Sequence, residues 1–389
     1  MKIIKVCLYV LAITFLGCRE GEAMYLEGGK VVPVHINFPS AVFTAPDVVG
    51  AGRSSQLIMD RAISLIDATP AGAEIHMSAY GFDHSGIISA LKRAAARGAH
   101  VFVLVDVSRE ETQEENKPVI RELQHAGTNL VAKPFYNDAS KSAINHNKFI
   151  LFSRLVTDRD TAANIVFQTS HNFTEADTKK VQDAVVLQQE GLYNAYLHYW
   201  TDLESRSVAG MKNYTYSEYN NVAAGIRACF LPMRRNGAFT GDDFIIDILD
   251  NITDPAHTTV RVGMSDWVNS RLNVAQKLHA LLKQGATIEL VVKNKIDDSI
   301  IDEIAQMEKE GAYVKMLNLE DKSRPRQNIH SKFMMIDGEY QHERVRMVVT
   351  GSHNFTQNAL QNNCETELLL RDPGIYKAYE ENYKGLKNM

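Results

Sequence analysis

Two short segments of the sequence each carry a histidine and a lysine two residues apart. The first segment is His146-Asn147-Lys148 and the second is His330-Ser331-Lys332. Each segment precedes an apolar run that predicts a strand, and alternate residues of a strand project to the same face. An imidazole can attack phosphorus or transfer a proton, and an ammonium group can bind phosphate oxygens. The two pairs are therefore candidates for phosphodiester chemistry.

A second pair of motifs follows the first at similar distances. One copy is Ser170-His171-Asn172 and the other is Ser352-His353-Asn354. Amide and hydroxyl groups donate hydrogen bonds to the non-bridging oxygens of a phosphate, where negative charge lies in the transition state. We therefore expect both asparagines and both serines to contact the substrate.

These motifs belong to an internal duplication. The two lysine-paired histidines are 330 − 146 = 184 residues apart, and the two asparagines are 354 − 172 = 182 residues apart. Residues 192–196 match residues 375–379 at an offset of 183. Unrelated segments would not keep one register over such distances, so the chain contains one unit twice.

The elements around the motifs predict an α/β fold. Each copy shows a strand, a helix that stops before a glycine, and a second apolar strand. These elements are predicted at residues 73–77, 87–97 and 101–105 in the first copy, and 259–263, 274–283 and 288–292 in the second. Residues 118–126 predict a further helix and residues 130–134 a strand. Successive β-α-β units favour mainly parallel sheets that are covered by helices, in two lobes related by a pseudo-twofold axis.

The chain divides into four predicted segments. Residues 1–23 resemble an export signal, with a basic start and a short apolar stretch. Residues 40–204 form the first lobe, residues 205–228 a polar connection, and residues 229–389 the second lobe. Cleavage after Ala23 and lipidation of Cys18 are alternative ways of processing the signal. We therefore expect a secreted or periplasmic protein, and the alternative is a protein anchored by a lipid on Cys18.

The composition of the sequence restricts the classes of function that the protein can have. Of 389 residues, 45% are hydrophobic and 23% are charged, which is typical of a soluble protein with a large core. The net charge of −5 argues against a bulk basic surface for nucleic acid, although a local basic groove at Lys179-Lys180, Arg234-Arg235 or residues 322–326 stays open. No cysteine or histidine cluster has zinc spacing, so neither metal nor cofactor is expected. Cys229 and Cys364 are candidates for a disulfide.

The paired motifs resemble the phospholipase D superfamily of phosphodiesterases. The second copy follows the family pattern of HxK, a downstream Asp337, and GSxN beginning at Gly351. In the first copy, Ser153 replaces the aspartate and Thr169 replaces the glycine. The resemblance implies two phospholipase D-like α/β/α lobes with the active site between them.

The resemblance also implies roles for individual residues. His146 would attack phosphorus to form a phosphohistidine, and His330 would protonate the leaving group and then activate water. The near symmetry of the copies leaves the reverse assignment open. The remaining expected catalytic residues clamp the phosphate or orient a histidine, and these are Lys148, Lys332, Asn172, Asn354, Asp183 and Glu365. Asp183 and Glu365 each follow their asparagine by 11 residues (183 − 172 and 365 − 354).

Substrate contacts are harder to predict. Besides Ser170 and Ser352, Trp267 is expected to line the site, because it follows a strand end where α/β proteins bind ligands. Acidic charge and export favour hydrolysis of phospholipase D type on a lipid or other extracellular phosphodiester, with a phospholipid headgroup as the first expectation and peripheral membrane contact. The lysines supply positive charge without a metal ion, so a metal-independent enzyme is expected, and we expect a monomer. The alternatives are a secreted nuclease of the same superfamily and a degenerate, non-catalytic binding protein, the latter motivated by Ser153 and Thr169.

Overall fold

The computed structural model describes residues 30–389. The predicted signal peptide, residues 1–23, and Cys18 within it lie outside the described residues. Among the helices of the described part, none has the length and apolarity needed to cross a membrane.

The first lobe is built from seven strands and five helices of the described chain. Its strands are β1 (Ser40–Phe43), β2 (Glu74–Ala79), β3 (His100–Asp106), β4 (Leu130–Phe135), β5 (Lys148–Val156), β6 (Thr161–Thr169) and β7 (Asp183–Gln188). Its helices are α1 (Pro46–Gly50), α2 (Leu57–Asp67), α3 (Ser85–Ala96), α4 (Glu110–Gln124) and α5 (Glu190–Ser205).

The second lobe repeats this arrangement with a few additions. Its strands are β8 (Ser217–Asn221), β9 (Ile226–Leu231), β10 (Arg234–Arg235), β11 (Ala238–Phe239), β12 (Ile252–Met264), β13 (Thr287–Lys293), β14 (Tyr313–Leu317), β15 (Lys332–Tyr340), β16 (Glu343–Gly351) and β17 (Glu365–Leu370). Its helices are α6 (Phe244–Asp250), α7 (Leu272–Lys283), α8 (Asp298–Lys309), α9 (Gln357–Gln361) and α10 (Pro373–Lys387).

The two large sheets have equivalent strand orders. The first is β1-β7-β6-β5-β2-β3-β4, and the second contains β9-β17-β16-β15-β12-β13-β14 with β8 added outside β9. This agreement confirms the duplicated α/β architecture. The prediction of mainly parallel sheets is corrected, because only β2-β3-β4 and β12-β13-β14 pair in parallel. The other strands are joined by short hairpin connections, which produce antiparallel neighbours and make both sheets mixed.

Two boundaries differ from the sequence prediction. Helix α4 begins at Glu110 rather than Pro118, because Thr112 accepts the backbone N–H of Arg109 at 3.2 Å and donates to Asp106 at 2.9 Å. The segment predicted as a connection, residues 205–228, contains β8 and the start of β9, both of which pair within the second sheet. Polar composition at an edge of a sheet concealed these strands.

Helices α5 and α10 lie between the two sheets. Helix α5 contacts β5 and β6 of the first sheet and β8 of the second, whereas α10 contacts β1 and β16. Their buried tyrosines, among them Tyr196, Tyr199, Tyr379 and Tyr383, belong to one apolar core shared by both lobes. Separate cores lie under α2–α4 and under α6–α8 on the outer faces. The shared core therefore holds the two lobes in a fixed orientation.

The two cysteines of the described chain are buried and free. Cys229 lies on β9, and Cys364 immediately precedes β17. The disulfide considered from the sequence is therefore not formed in this structure.

Candidate active site

Backbone hydrogen bonds between the lobes position the two His-x-Lys pairs. The N–H of His146 donates to the carbonyl oxygen of Cys364 at 2.9 Å, and the N–H of His330 donates to that of Val181 at 2.8 Å. Each histidine is thus attached to the other copy, just before β17 or β7. Both pairs meet at the interface between the lobes.

Each lysine is buried beside the histidine of its own motif. Lys148 Nζ donates to the carbonyl oxygen of His146 at 2.7 Å, and Lys332 Nζ donates to that of His330. Burial, together with Lys332, lowers the pKa of Lys148 well below its usual value, and burial lowers the pKa of Lys332 to about 8. A bound phosphate would stabilise both charged forms and raise these pKa values. Within residues 30–389, no group of three or more His, Cys, Asp and Glu side chains is arranged to hold a metal ion.

A carboxylate orients His146. Its Nδ1 lies 2.8 Å and 3.0 Å from the two carboxylate oxygens of Glu365. Burial lowers the pKa of His146, and Glu365 opposes that shift. Burial alone would raise the pKa of Glu365, but His146 holds that pKa below its usual value, so Glu365 is ionised. A carboxylate at Nδ1 favours the tautomer with Nδ1 protonated, which leaves Nε2 free to attack phosphorus.

His330 has a neutral partner instead. Its Nδ1 lies 3.1 Å from Oε1 of Gln182 and 3.1 Å from the carbonyl oxygen of Ser170. A carboxylate oxygen of Asp177 lies 3.7 Å from the same nitrogen. Burial and the ammonium group of Lys332 lower the pKa of His330 well below its usual value. The two histidines are therefore electrically unequal, although their backbones are equivalent.

Asp183 does not have the predicted role at His330. Its carboxylate accepts hydrogen bonds from Ser170 Oγ at 2.8 Å, from Tyr379 OH at 2.7 Å and from Thr350 Oγ1 at 2.5 Å. These contacts join the first lobe to β16 and α10 of the second. Asp183 is thus a structural residue of the interface, and the expectation that it orients a histidine is corrected.

A difference of one residue between the copies explains this correction. Paired residues of β6 and β7 are separated by 184 − 169 = 15 positions, whereas the equivalent residues of β16 and β17 are separated by 367 − 351 = 16. Counting from the asparagines therefore aligns Glu365 with Asp183, but the strand register aligns it with Gln182. Sequence reasoning missed Gln182 for this reason.

The two asparagines are held differently. Asn354 Oδ1 accepts the backbone N–H of Asp266 at 3.3 Å, which leaves its Nδ2 to donate to a ligand. Asn172 Nδ2 instead donates to Asp177 at 2.8 Å, and Asn172 Oδ1 is buried without a partner. Asp177 also binds the ammonium group of Lys180. The predicted phosphate clamp is thus available at Asn354, while Asn172 is engaged with Asp177.

Both serines of the Ser-His-Asn motifs are fully buried. Ser170 Oγ donates to Asp183 and accepts its backbone N–H at 3.0 Å. Ser352 Oγ accepts the backbone N–H of Thr366 at 3.1 Å. These hydroxyls hold the turns that carry the asparagines, which corrects the predicted contact with substrate.

Trp267 lies in the core of the second lobe and is fully buried. Its indole N–H donates to the carbonyl oxygen of Arg271 at 3.0 Å, and its ring packs edge-on against Phe355 with centroids 5.0 Å apart. In the first lobe, Phe82 forms the same β-bridge and ring contact with Phe173. The prediction that Trp267 lines the site is corrected, because the aromatic pair closes a core.

Tyr80 is the aromatic residue beside the histidine and lysine of the first motif. Its ring centroid lies 5.1 Å from that of His146 and 5.4 Å from Lys148 Nζ. Tyr80 directly follows β2, and the corresponding residue after β12 is Ser265. The strand-end rule that singled out Trp267 applies better to these two positions.

We expect Trp267→Phe to leave substrate binding intact. Phenylalanine occupies the equivalent position in the first lobe, but the smaller ring loses the bond to Arg271 and leaves a void. The free energy of unfolding should fall by about 1–3 kcal/mol, while KM changes by less than about twofold because the indole is buried in the core and makes no contact with the motif histidines or lysines. Chemical denaturation and steady-state kinetics check both values. A large rise in KM with unchanged stability would contradict the assignment to the core.

Comparisons with known proteins agree with this architecture. The family model described as "Cardiolipin synthase, PLD-like domain" matches the chain twice, over residues 63–204 and 248–387. No match was found among curated proteins.

Solved structures share the fold at low sequence identity. The chain is similar to phosphatidylserine synthase of Haemophilus influenzae at 12% identity, covering 90% of this chain and 86% of that one with a TM-score of 0.58. It is similar to polyphosphate kinase of Porphyromonas gingivalis at 17% identity with a TM-score of 0.53, covering 90% of this chain but only 50% of the kinase. It also matches Nuc, a phospholipase D family member of Salmonella typhimurium, at 25% identity over 44% of this chain and 99% of Nuc, with a TM-score of 0.32. Two matches to the family model, together covering most of the sequence, show that the chain belongs to the phospholipase D-like superfamily of enzymes acting on phosphodiesters, with two copies of the domain in one chain.

Proposed function

We propose that this protein is a secreted phosphodiesterase that works without a metal ion and forms a covalent phosphohistidine. The observation that carries the proposal is the buried His146–Glu365 pair, assembled with His330 and two buried lysines at one interface. One chain supplies both motifs, so a monomer is sufficient. Secretion rests on the predicted signal peptide.

In the first step, Nε2 of His146 attacks phosphorus while the bond from phosphorus to the leaving oxygen breaks. Protonated His330 transfers its Nε2 proton to that oxygen, so an alcohol departs. The phosphorylated imidazole of His146 is cationic and keeps its Nδ1 proton. Glu365 stabilises this cation, which is the reason to assign the nucleophile to His146 rather than to His330.

In the second step, water replaces the departed alcohol. Neutral His330 takes a proton from water as its oxygen attacks phosphorus and the bond from phosphorus to nitrogen breaks. The products are a phosphate monoester and the starting protein, with His146 neutral and His330 protonated. If an alcohol attacked phosphorus in place of water, the product would be a new phosphodiester, and the reaction would be a transfer instead of a hydrolysis.

The neutral partner of His330 suits this double role. Gln182 accepts a hydrogen bond from Nδ1 but does not stabilise the imidazolium as a carboxylate would. The Asp177 carboxylate lies 3.7 Å from the same nitrogen, beyond hydrogen-bond distance, and is shared with Lys180. A bound phosphodiester anion supplies negative charge, so His330 gains its proton in the complex and releases it readily to the leaving oxygen. Lys148, Lys332 and the free Nδ2 of Asn354 stabilise charge on the non-bridging oxygens.

A phospholipid headgroup is the first candidate substrate. The family model carries the description of a cardiolipin synthase, and a structure with the same fold is a phosphatidylserine synthase. Peripheral contact with a membrane would then bring the candidate active site to its substrate. Nucleic acid is the second candidate, because Lys179, Lys180 and Arg326 line one cavity of the described chain.

The sequence departures that motivated a non-catalytic reading have structural explanations. Ser153 Oγ accepts the backbone N–H of Glu74 at 2.8 Å, at the far end of the strand that begins with Lys148. Thr169 Oγ1 donates to the carbonyl oxygen of Asp183 at 2.7 Å. Neither replacement removes a group that the proposed chemistry uses, which favours an active enzyme.

A covalent intermediate should distinguish the two histidines. The substrate bis(p-nitrophenyl) phosphate has a leaving group that needs little protonation. With it, His330→Ala should release one equivalent of p-nitrophenol and accumulate a phosphohistidine, because hydrolysis of the phosphohistidine by water lacks its general base. His146→Ala should show neither burst nor adduct. Rapid-quench kinetics and intact mass spectrometry measure these outcomes. An adduct on His330, or on both histidines equally, would reverse the assignment.

The pH dependence should report the coupled histidines. Since the pKa values of His146 and His330 are both lowered, kcat/KM should follow a bell with its maximum below about pH 6.5. Gln182→Glu places a carboxylate at His330 and raises its pKa, so the alkaline limb should move to higher pH. Gln182→Met, which adds no charge, is the control. A flat profile between about pH 4 and 9 contradicts the two-histidine mechanism.

Substrate class is tested by side-by-side assays in excess EDTA. Headgroup release from phosphatidylcholine vesicles supports the lipid proposal, and shortening of a single-stranded oligonucleotide supports the nuclease. EDTA should leave either rate unchanged, since lysines supply the positive charge. Tight binding without turnover of any phosphodiester would contradict the proposed enzyme and support a binding protein.

A further inference from the structure

A cationic cavity lies on the His330 side of the lobe interface. Its volume is about 610 Å³, and its charged lining residues are Lys179, Lys180 and Arg326. The rest of its lining consists of Ala, Gly, Pro and Asn residues, with no carboxylate among them. In the described part of the chain, Lys179 and Arg326 form no ion pair with an acidic residue. Lys179 and Arg326 thus give the cavity positive charge that no acidic side chain of residues 30–389 neutralises, whereas Lys180 is paired with Asp177.

The cavity shares its wall with the candidate active site. Val181, next to Lys180, accepts the N–H of His330 and donates its own N–H to the carbonyl oxygen of Asn328, another lining residue, at 2.8 Å. Lys180 binds one oxygen of Asp177, whose other oxygen lies 3.7 Å from Nδ1 of His330. The cavity is therefore linked to the Nδ1 side of His330 through Lys180 and Asp177.

The duplication provides an internal comparison. The register that aligns Val181 with Cys364 places Asn362 and Asn363 opposite Lys179 and Lys180. The side chains of these asparagines are used internally, since Asn362 donates to Asn358 at 3.0 Å and Asn363 donates to Glu365 at 3.0 Å.

The third cation, Arg326, also has a neutral counterpart in the other copy. Arg326 precedes His330 by four residues, and the residue four positions before His146 is Ser142. Ser142 Oγ donates to Asn358 at 2.9 Å. All three cavity cations thus have neutral, hydrogen-bonded counterparts on the His146 side. Arginines do approach these counterparts, but they are engaged by protein oxygens: Arg234 donates to Asn362 and to two backbone carbonyl groups, and Arg109 donates to the carbonyl oxygen of Ser142. Within residues 30–389, the side chains of Lys179 and Arg326 make no such hydrogen bond.

We propose that the cavity of Lys179, Lys180 and Arg326 binds a second phosphate, carried by the leaving alcohol of the substrate. This inference rests on the proposed function, in which His330 protonates the leaving oxygen and the leaving alcohol therefore lies on its side. A guanidinium group binds phosphate oxygens in bidentate fashion, and ammonium groups add point charges. On the His146 side, the neighbouring arginines Arg109 and Arg234 already donate to protein oxygens.

The substrate class that follows is a phosphodiester with another phosphate on its departing half. An internal linkage of a nucleic acid has this chemistry, and so does a phospholipid whose polyol headgroup is phosphorylated. Both sources present the same group to the cavity. The two sources differ in the group that stays on phosphorus after the leaving alcohol departs, which is a nucleoside in one case and a lipid in the other. The experiment must distinguish these two cases.

The experiment compares substrates with and without the second phosphate. The nucleotide pair is dithymidine monophosphate and its derivatives phosphorylated at either end, with product analysis to identify the departing half. The lipid pair is phosphatidylglycerol and phosphatidylglycerol phosphate in mixed micelles. The wild-type protein should show kcat/KM about tenfold higher when the departing half carries the phosphate, as expected for charge-assisted hydrogen bonds. A preference confined to one pair identifies the source.

Charge variants assign that preference to the cavity. In Lys179→Gln/Arg326→Gln, the ratio of kcat/KM values between paired substrates should fall to near one. Lys212→Gln/Lys309→Gln removes the same charge from exposed positions outside the cavity and should retain the ratio. Lys180 is left unchanged because its contact with Asp177 reaches the catalytic centre.

The failures of the two proposals are distinguishable. Turnover of bis(p-nitrophenyl) phosphate combined with a wild-type ratio near one would overturn the second-phosphate site alone. A ratio that persists in Lys179→Gln/Arg326→Gln would do the same. No turnover of bis(p-nitrophenyl) phosphate by the wild-type protein would overturn the proposed function and this inference with it.

Discussion

The structure depends on one constraint, which is that each motif histidine is hydrogen-bonded through its backbone to the opposite copy. His146 is attached to Cys364 and His330 to Val181, so neither half can present its histidine correctly alone. Helices α5 and α10 maintain this arrangement, because their tyrosines fill a core that belongs to both sheets. Burial of that core excludes relative movement of the lobes that would break the two backbone contacts. The site is therefore rigid because the interface is a protein interior.

Burial also determines the electrostatics. Two lysines and two histidines are removed from solvent at one place, and the pKa of each is lowered. Taking charge out of water is unfavourable unless an opposite charge compensates it. Glu365 and Asp177 compensate in part, and a phosphodiester anion would complete the balance. The site thus favours an anionic ligand before any specific hydrogen bond is counted.

Duplication would by itself produce two equal histidines, either of which could be the nucleophile or the acid. The structure removes that equality at equivalent positions, with Glu365 beside His146 and Gln182 beside His330. Lys179, Lys180 and Arg326, which line the cavity near His330, likewise correspond by position to Asn362, Asn363 and Ser142 in the other copy. A small number of side-chain differences on a symmetric backbone therefore makes the surroundings of the two histidines chemically different.

The sequence by itself determined the duplication, the β-α-β units and the identity of the His-x-Lys pairs, because periodicity and repeated spacing express these directly. The resemblance to the phospholipase D superfamily added the lobe interface as the meeting place of the motifs and pointed to Glu365. The sequence did not determine that Gln182 rather than Asp183 lies at His330, or that Trp267, Ser170 and Ser352 are buried. Distance along the chain does not report strand register, and a one-residue difference between copies changes which side chain points into the site. Only tertiary packing decided those directions, since each depends on the neighbouring strands and core residues against which the side chain packs.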